Sequence, residues 1–289
     1  MSHSSKIPFS KPSFTITEQI GQLKSRGMLF GDEARAAHYL ENLNYYRLSG
    51  YWLIFEEDHA SHKFQSGTTF ERVIDHYVFD RELRLLMLDA IERIEVSVRS
   101  KLAYELSQKY GAHPHLMCEL FHPATTYTKT LAKLKSEIDR AKEPFLKHFQ
   151  NKYSEELPPI WASVELMSLG QVSNWFSCIK KRQDRQLIAK YYDLDEKILA
   201  SFLHHLTIVR NICAHHSVLL NKTLTVAFKI PKKYEKNYNL NQRKKLFNTI
   251  VMTEHLLGII SPGNSWAKRV DELIEKYDID KTMMGFADV

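Results

Sequence analysis

The stretch Thr68-TFERVIDHYVFDRELRLLMLDAIERIEVSVRSKLAYELSQK-Tyr110 contains neither proline nor glycine, and its reading decides the fold. Thr68 and Glu71 stand at the spacing of a capping box, in which each side chain satisfies the other residue's backbone N–H. An uninterrupted helix is predicted from there to Tyr110. Leu83, Met87, Ala90, Ile91, Ile94, Val98 and Leu102 fall on one apolar stripe at helical spacing. Arg81, Leu85, Leu88, Glu92, Glu95 and Arg99 project from the other side. A helix occupied on two faces belongs in the centre of a bundle. Glu95 and Arg99 form an i, i+4 pair. Exposed, the pair is worth a few tenths of a kcal/mol; buried, it fixes register or positions a site residue.

The same periodicity continues outward, and only 10 glycines and 9 prolines punctuate 289 residues. Apolar residues recur three and four apart almost everywhere. Helices are predicted over Thr17–Ser25 and, with Asp32 as cap, over Asp32–Asn42. A helix from about Lys129 to Tyr153 should kink or split at Pro144. Others follow over Trp161–Lys180, weakened near Gly170, and over Gln183–Tyr192. An Asp-x-x-Glu signal at Asp193 opens a helix expected to run to about Leu220. Leu240–Ile260 and Ser265–Tyr277 complete the set. The expected fold class is all-α, a multi-helix bundle with a long central helix. Residues 1–16 read as an arm and 17–289 as a single domain, with a possible sub-boundary near 154–160.

Composition narrows the function classes. The three cysteines, Cys118, Cys178 and Cys213, contain no C-x-x-C pair, so neither a disulfide framework nor a zinc ribbon is suggested. The N-terminus lacks the apolar stretch of a signal peptide, and no run approaches the roughly 20 apolar residues that span a bilayer. A soluble, cytoplasmic protein with no membrane partner is expected. The formal net charge of +6 leans mildly toward an anionic partner.

Chemistry concentrates in Ile208-Val209-Arg210-Asn211-Ile212-Cys213-Ala214-His215-His216, where polar groups interrupt an apolar helix. Asn211 and His215 are i, i+4 neighbours on one face, whereas Arg210 lies about 140° from His215 around the axis. Only its long side chain, or a facing copy in a dimer, brings the guanidinium near that imidazole. The trio suits a phosphodiester. Histidine moves a proton near neutrality, arginine grips two phosphate oxygens, and asparagine orients either group. With RNA the 2′-hydroxyl is an internal nucleophile, so no metal or small-molecule cofactor is needed. An arginine and asparagine on a helix also commonly bond a neighbouring carboxylate, here Glu92 or Glu95. A zinc site would need a ligand spacing that the histidines lack. Cys213 and His215 are two residues apart and point to different faces.

Two further segments mix aromatics and cations. Asn44-Tyr45-Tyr46-Arg47-Leu48-Ser49-Gly50-Tyr51-Trp52 reads as a packing corner, with Tyr45, Tyr46, Arg47 and Tyr51 as candidates for stacking on unpaired bases. Lys229-Ile-Pro-Lys232-Lys233-Tyr234-Glu-Lys236-Asn-Tyr238 reads either as a solvated loop or as an RNA surface using Lys232, Lys233 and Lys236. Lys180, Lys181 and Arg182 read as a helix end favoured by the dipole.

The order of motifs Asn44–Tyr51, then Phe79-Asp-Arg-Glu-Leu-Arg84 with Ile91–Val96 and Arg99, then Arg210–His216 resembles the bacterial abortive-infection proteins of the AbiD and AbiF type. That resemblance implies the HEPN superfamily, a helical bundle whose Arg-x(4 to 6)-His motif is a metal-independent ribonuclease site. By resemblance, Arg210 and His215 would be the catalytic pair and Asn211 the polar residue after the arginine. Glu92, Glu95, Arg99 and His216 would support them, and two copies would meet in a homodimer. It further implies phage defence or toxin–antitoxin behaviour through RNA cleavage, with a small non-coding RNA as a possible antitoxin. A non-catalytic RNA-binding module of such a system is the alternative.

Overall fold

A helix that buries one complete stripe holds the larger part of the chain together. The structure, a computed structural model, describes residues 12–287. Most of the expected arm over 1–16 lies outside the described residues. The chain divides into two compact units, Met1–Asp80 and Arg81–Val289, with the division inside a long helix.

The first unit carries α1 (Ile16–Ser25), α2 (Glu33–Leu43) and α3 (Tyr45–Trp52), followed by a short antiparallel hairpin of β1 (Glu56–Asp58) and β2 (Lys63–Phe64). Leu23, Leu40, Leu48 and Trp52 form its buried core. Thr15 caps α1 in a full capping box with Glu18, and Asp32 caps α2 as its residue type predicts. The hairpin is unforeseen. Its buried Glu56 accepts from His59 Nδ1 at 2.6 Å, a local tie that no hydrophobic alternation announces.

Helix α4 spans Phe70–Tyr110, 41 residues. Its cap is displaced by one position from the expected one. Thr69 Oγ1 accepts from the Arg72 N–H at 3.1 Å, while the Thr68 hydroxyl donates to the Gln65 carbonyl. Glu71 does not close a box either: its carboxylate accepts from the Gly31 and Asp32 N–H groups at 3.0 and 3.2 Å. Backbone donors at the start of α2 outcompete the local partner because they have no other acceptor.

In the second unit the predicted stripe is buried throughout. Leu83, Met87, Ala90, Ile91, Ile94, Val98 and Leu102 are each at most 2% exposed, a gross transfer free energy on the order of 10 kcal/mol. Around this stripe the chain forms α5 (Ala124–Arg140), α6 (Pro144–Lys152), α7 (Ile160–Ser163), α8 (Leu169–Cys178), α9 (Arg182–Lys190), α10 (Glu196–Ala214), α11 (Leu246–Ile260) and α12 (Trp266–Lys276). The architecture is all-α, as the periodicity predicts. Trp266 Nε1 donates to the Leu86 carbonyl at 2.7 Å and ties α12 to α4. Buried Asp184 accepts from Lys109 Nζ at 2.5 Å and the Tyr110 hydroxyl at 2.6 Å, locking the end of α4 to α9.

The breaks differ from the expected ones in instructive ways. Pro144 does split its segment, sitting at the first position of α6 where a missing N–H costs nothing. The segment after Trp161 is broken not at Gly170 but at Ser168, which begins α8 with a Ser168–Gln171 capping box. Asp193 takes a left-handed conformation with φ 52°, so Asp195 rather than Asp193 caps α10. Among the described residues, no helix is long and apolar enough to cross a membrane.

Three buried imidazoles, His76, His115 and His205, make stability pH-dependent. His205 places Nδ1 2.7 Å from the Val226 carbonyl and Nε2 2.8 Å from the Thr249 hydroxyl, and burial lowers its pKa and that of His76. Burial also pushes His115 down to about 4 from 6.5. For His115 the unfolded chain binds more protons than the folded one below pH 6.5, so its contribution is full above that pH and is lost as pH falls toward 4, and His76 and His205 act in the same direction. Urea midpoints should therefore drop from pH 7 to pH 5. A His115→Asn variant should lose less over the same interval, and an equal loss in both proteins would contradict this account.

Candidate functional site

Helix α10 stops at Ala214, short of the expected Leu220, and the way it stops places the candidate histidine. His215 is the C-cap, with its N–H still bonded to the Asn211 carbonyl at 3.0 Å. His216 adopts φ 56°, the left-handed region. Its N–H bonds the Cys213 carbonyl at 3.2 Å, and the Ser217 N–H bonds the Ile212 carbonyl at 3.0 Å. That pair of bonds is a Schellman ending, usually made with glycine. No glycine or proline marks it, so the sequence holds no stop signal. A tertiary contact reinforces the turn: Arg84 of α4, 4% exposed, donates through Nη1 to the Ser217 carbonyl at 3.3 Å.

The helix runs through Ala214 and its hydrogen-bond ladder reaches the His215 N–H, and Asn211 and His215 are both exposed. Among the described residues the His215 ring has no hydrogen-bond partner. Arg210 points elsewhere and is half-buried, yet its length brings Nη1 to 3.4 Å from Asn211 Oδ1. No bond joins Arg210 to His215 within the chain.

Behind Arg210 lies a charged cluster on α4. Arg99 donates to Glu95 and to the Met167 carbonyl just before α8, and the two side chains are only 16% and 15% exposed. Arg99 Nε is buried without a partner. Burial pushes the Glu95 carboxyl above its usual range. The Arg99 and Arg210 guanidinium charges and the Leu169 N–H act in the opposite direction. Glu95 thus feels the Arg210 charge, and its direct ion pair is with Arg99. Glu92, the other candidate, is exposed. The anchor at Met167 was invisible in the sequence because it is a backbone carbonyl, which any residue supplies.

The remaining predicted residues are dispersed. On α3, Tyr51 is buried and donates to Asp80 Oδ2 at 2.7 Å. Tyr45 accepts from Arg26 at 3.1 Å and meets Trp52 edge-on. Tyr46 is 86% exposed, and Arg47 is exposed with contacts of its own. These side chains serve the packing corner on one side and solvent on the other. In the connector before α11, Lys233 pairs with Asp193 at 2.6 Å, while Lys232 and Lys236 are exposed. His216 is exposed and has contacts of its own. Among the described residues, no group of three or more His, Cys, Asp or Glu side chains is arranged to hold a metal ion.

Replacing Arg99 by Met should cost about 2–3 kcal/mol, because it leaves Glu95 and the Met167 carbonyl short of a donor in a half-buried setting. Glu95→Gln should cost less, since the amide oxygen can still accept from Arg99. Urea denaturation of the two variants checks the order, and the reverse order would contradict it.

Residues 38–221, well over half the chain, match the model of a family described as Abi-like protein. No curated protein and no solved structure matches.

Proposed function

We propose that this chain, which belongs to the Abi-like protein family, is a metal-independent endoribonuclease of the HEPN type, acting in phage defence or as a toxin. Family membership supports the phage-defence role. The observation that carries the nuclease reading is the exposed end of α10. A histidine with an unengaged ring shares a face with Asn211, which holds the Arg210 guanidinium at 3.4 Å.

The chemistry follows from those groups. A 2′-hydroxyl attacks the adjacent phosphorus and His215 takes its proton. Negative charge grows on the non-bridging oxygens, where Arg210 stabilises it. The bond to the 5′-oxygen breaks and that oxygen takes up a proton, leaving a 2′,3′-cyclic phosphate and a 5′-hydroxyl. A second His215 across a homodimer would supply the leaving-group proton, and a facing Arg210 would remove the angular gap between arginine and histidine. RNA is thus the proposed substrate, and a small RNA antitoxin would compete for the same surface.

His215→Ala should abolish cleavage of cellular RNA while leaving the circular dichroism spectrum unchanged. Arg210→Lys should lower kcat by roughly 10²-fold or more. EDTA should have no effect, and product 3′ ends should carry cyclic phosphate. Cleavage that survives in His215→Ala, or that stops with EDTA, would refute the reading.

A second reading is a non-catalytic RNA-binding module. It is favoured by the geometry in which Arg210 engages Asn211 rather than His215. Salt-dependent RNA binding by a dimer that never produces cyclic-phosphate ends would select it.

A further inference from the structure

The exposed face of α10 does not end at Asn211 and His215. At about 100° per residue, Lys197, Ser201, His204, Ile208, Asn211 and His215 lie within a single stripe along the helix, about 27 Å from end to end. Lys197, His204, Asn211 and His215 are all exposed. At the far end of this stripe a groove opens, lined by residues that include His122, Lys180, Arg185, Glu196, Lys197 and Lys229.

The groove is held in place by internal bonds that leave its lysines unengaged. The Lys180 N–H bonds the Leu120 carbonyl and the His122 N–H bonds the Cys178 carbonyl, both at 2.7 Å. Arg185 donates to the Ile179 carbonyl and contacts the Lys180 carbonyl at 3.4 Å. The Lys229 N–H donates at 2.9 Å to Ser201 Oγ, whose own proton goes to the Ile198 carbonyl at 2.9 Å. The one carboxylate of the lining, Glu196, is 2% exposed and already neutralised by Arg185 at 2.7 Å and Arg182 at 3.6 Å. Lys180, Lys197 and Lys229 are exposed, and among the described residues none has a carboxylate partner. Three cations thus converge from three separate segments on a groove with no competing negative charge. Its lining contains no Phe, Tyr or Trp, and His122 is its one ring, so charge rather than base stacking dominates what it offers.

We infer that this groove binds the phosphate backbone of an unpaired RNA strand, with Lys180, Lys197 and Lys229 contacting phosphates on one side of the bond presented to Asn211 and His215. The inference rests on the reading of α10 as an RNA-directed site and adds to it an extended, sequence-independent substrate track. Electrostatic contacts of this kind carry affinity without specificity.

The test uses the full chain carrying His215→Ala and a fluorescein-labelled single-stranded RNA 20-mer of mixed sequence, with anisotropy read across a salt series. Adding Lys180→Gln, Lys197→Gln and Lys229→Gln together should weaken binding by about tenfold or more, and should flatten the log–log salt slope by about 2, at roughly 0.7 per lost contact on a single strand. A charge-matched control with Lys129→Gln, Lys133→Gln and Lys147→Gln, exposed residues of α5 and α6, should change neither. Equal affinity and slope in the groove variant and its parent would overturn the inference. So would an equal effect of the control. The groove changes are also made in the His215-intact chain and cleavage is measured. RNA binding that depends on the groove in a protein that never cleaves would sustain the groove and reject the nuclease. Cleavage with an unchanged KM in the groove variant would do the opposite.

Discussion

A charged pair held largely out of water in the middle of a long helix must be satisfied from outside that helix, and the Glu95–Arg99 pair of α4 meets that demand in a way that orders its surroundings. Arg99 reaches the Met167 carbonyl, just before α8, while it pairs with Glu95. The junction before α8 is therefore held against α4 by polar contacts as well as by its apolar side chains. Arg210 on α10 adds a second positive charge that opposes the rise of the Glu95 pKa. Desolvating a carboxylate is costly, and the two guanidinium charges oppose that cost.

That arrangement divides α10 into faces with different duties. Leu199, Phe202, Leu203, Leu206, Val209 and Cys213 are buried in the bundle. Arg210 lies at the edge, half-buried and bonded to Asn211. Asn211 and His215 face solvent, continuous with the lysine-lined groove at the other end. One helix can therefore contribute to the core, to a charge cluster and to an exposed polar track, because 3.6 residues per turn separate these duties by angle. The non-glycine left-handed turn at His216 ends the helix immediately after the exposed histidine, and Arg84 holds the turn from α4. Backbone strain of this kind persists where the surroundings over-determine it.

Element existence was readable wherever apolar spacing was regular. Helices α1, α2, α4, α9 and α12 fall within a few residues of their expected bounds. The start of α2 was readable because Asp32 caps its own helix, whereas the Thr15 box that opens α1 went unread. They were misread where a plausible cap found a partner distant in sequence. Glu71 stands at box spacing from Thr68, yet it serves the start of α2. The end of α10 carried no signal because its stop depends on a left-handed histidine and on an arginine 133 residues away in sequence.

For the candidate site the division is similar. The sequence by itself determined the all-α class, the unbroken central helix with its buried stripe, and the face shared by Asn211 and His215, because helical periodicity is a property of local covalent geometry. Tertiary structure alone decided that Glu95 rather than Glu92 is drawn partly out of water, that Tyr51 is buried against Asp80, and that Lys180, Lys197 and Lys229 converge on one groove. Each of those outcomes depends on which distant backbone groups and charges arrive beside a side chain, and sequence spacing holds no record of that arrival.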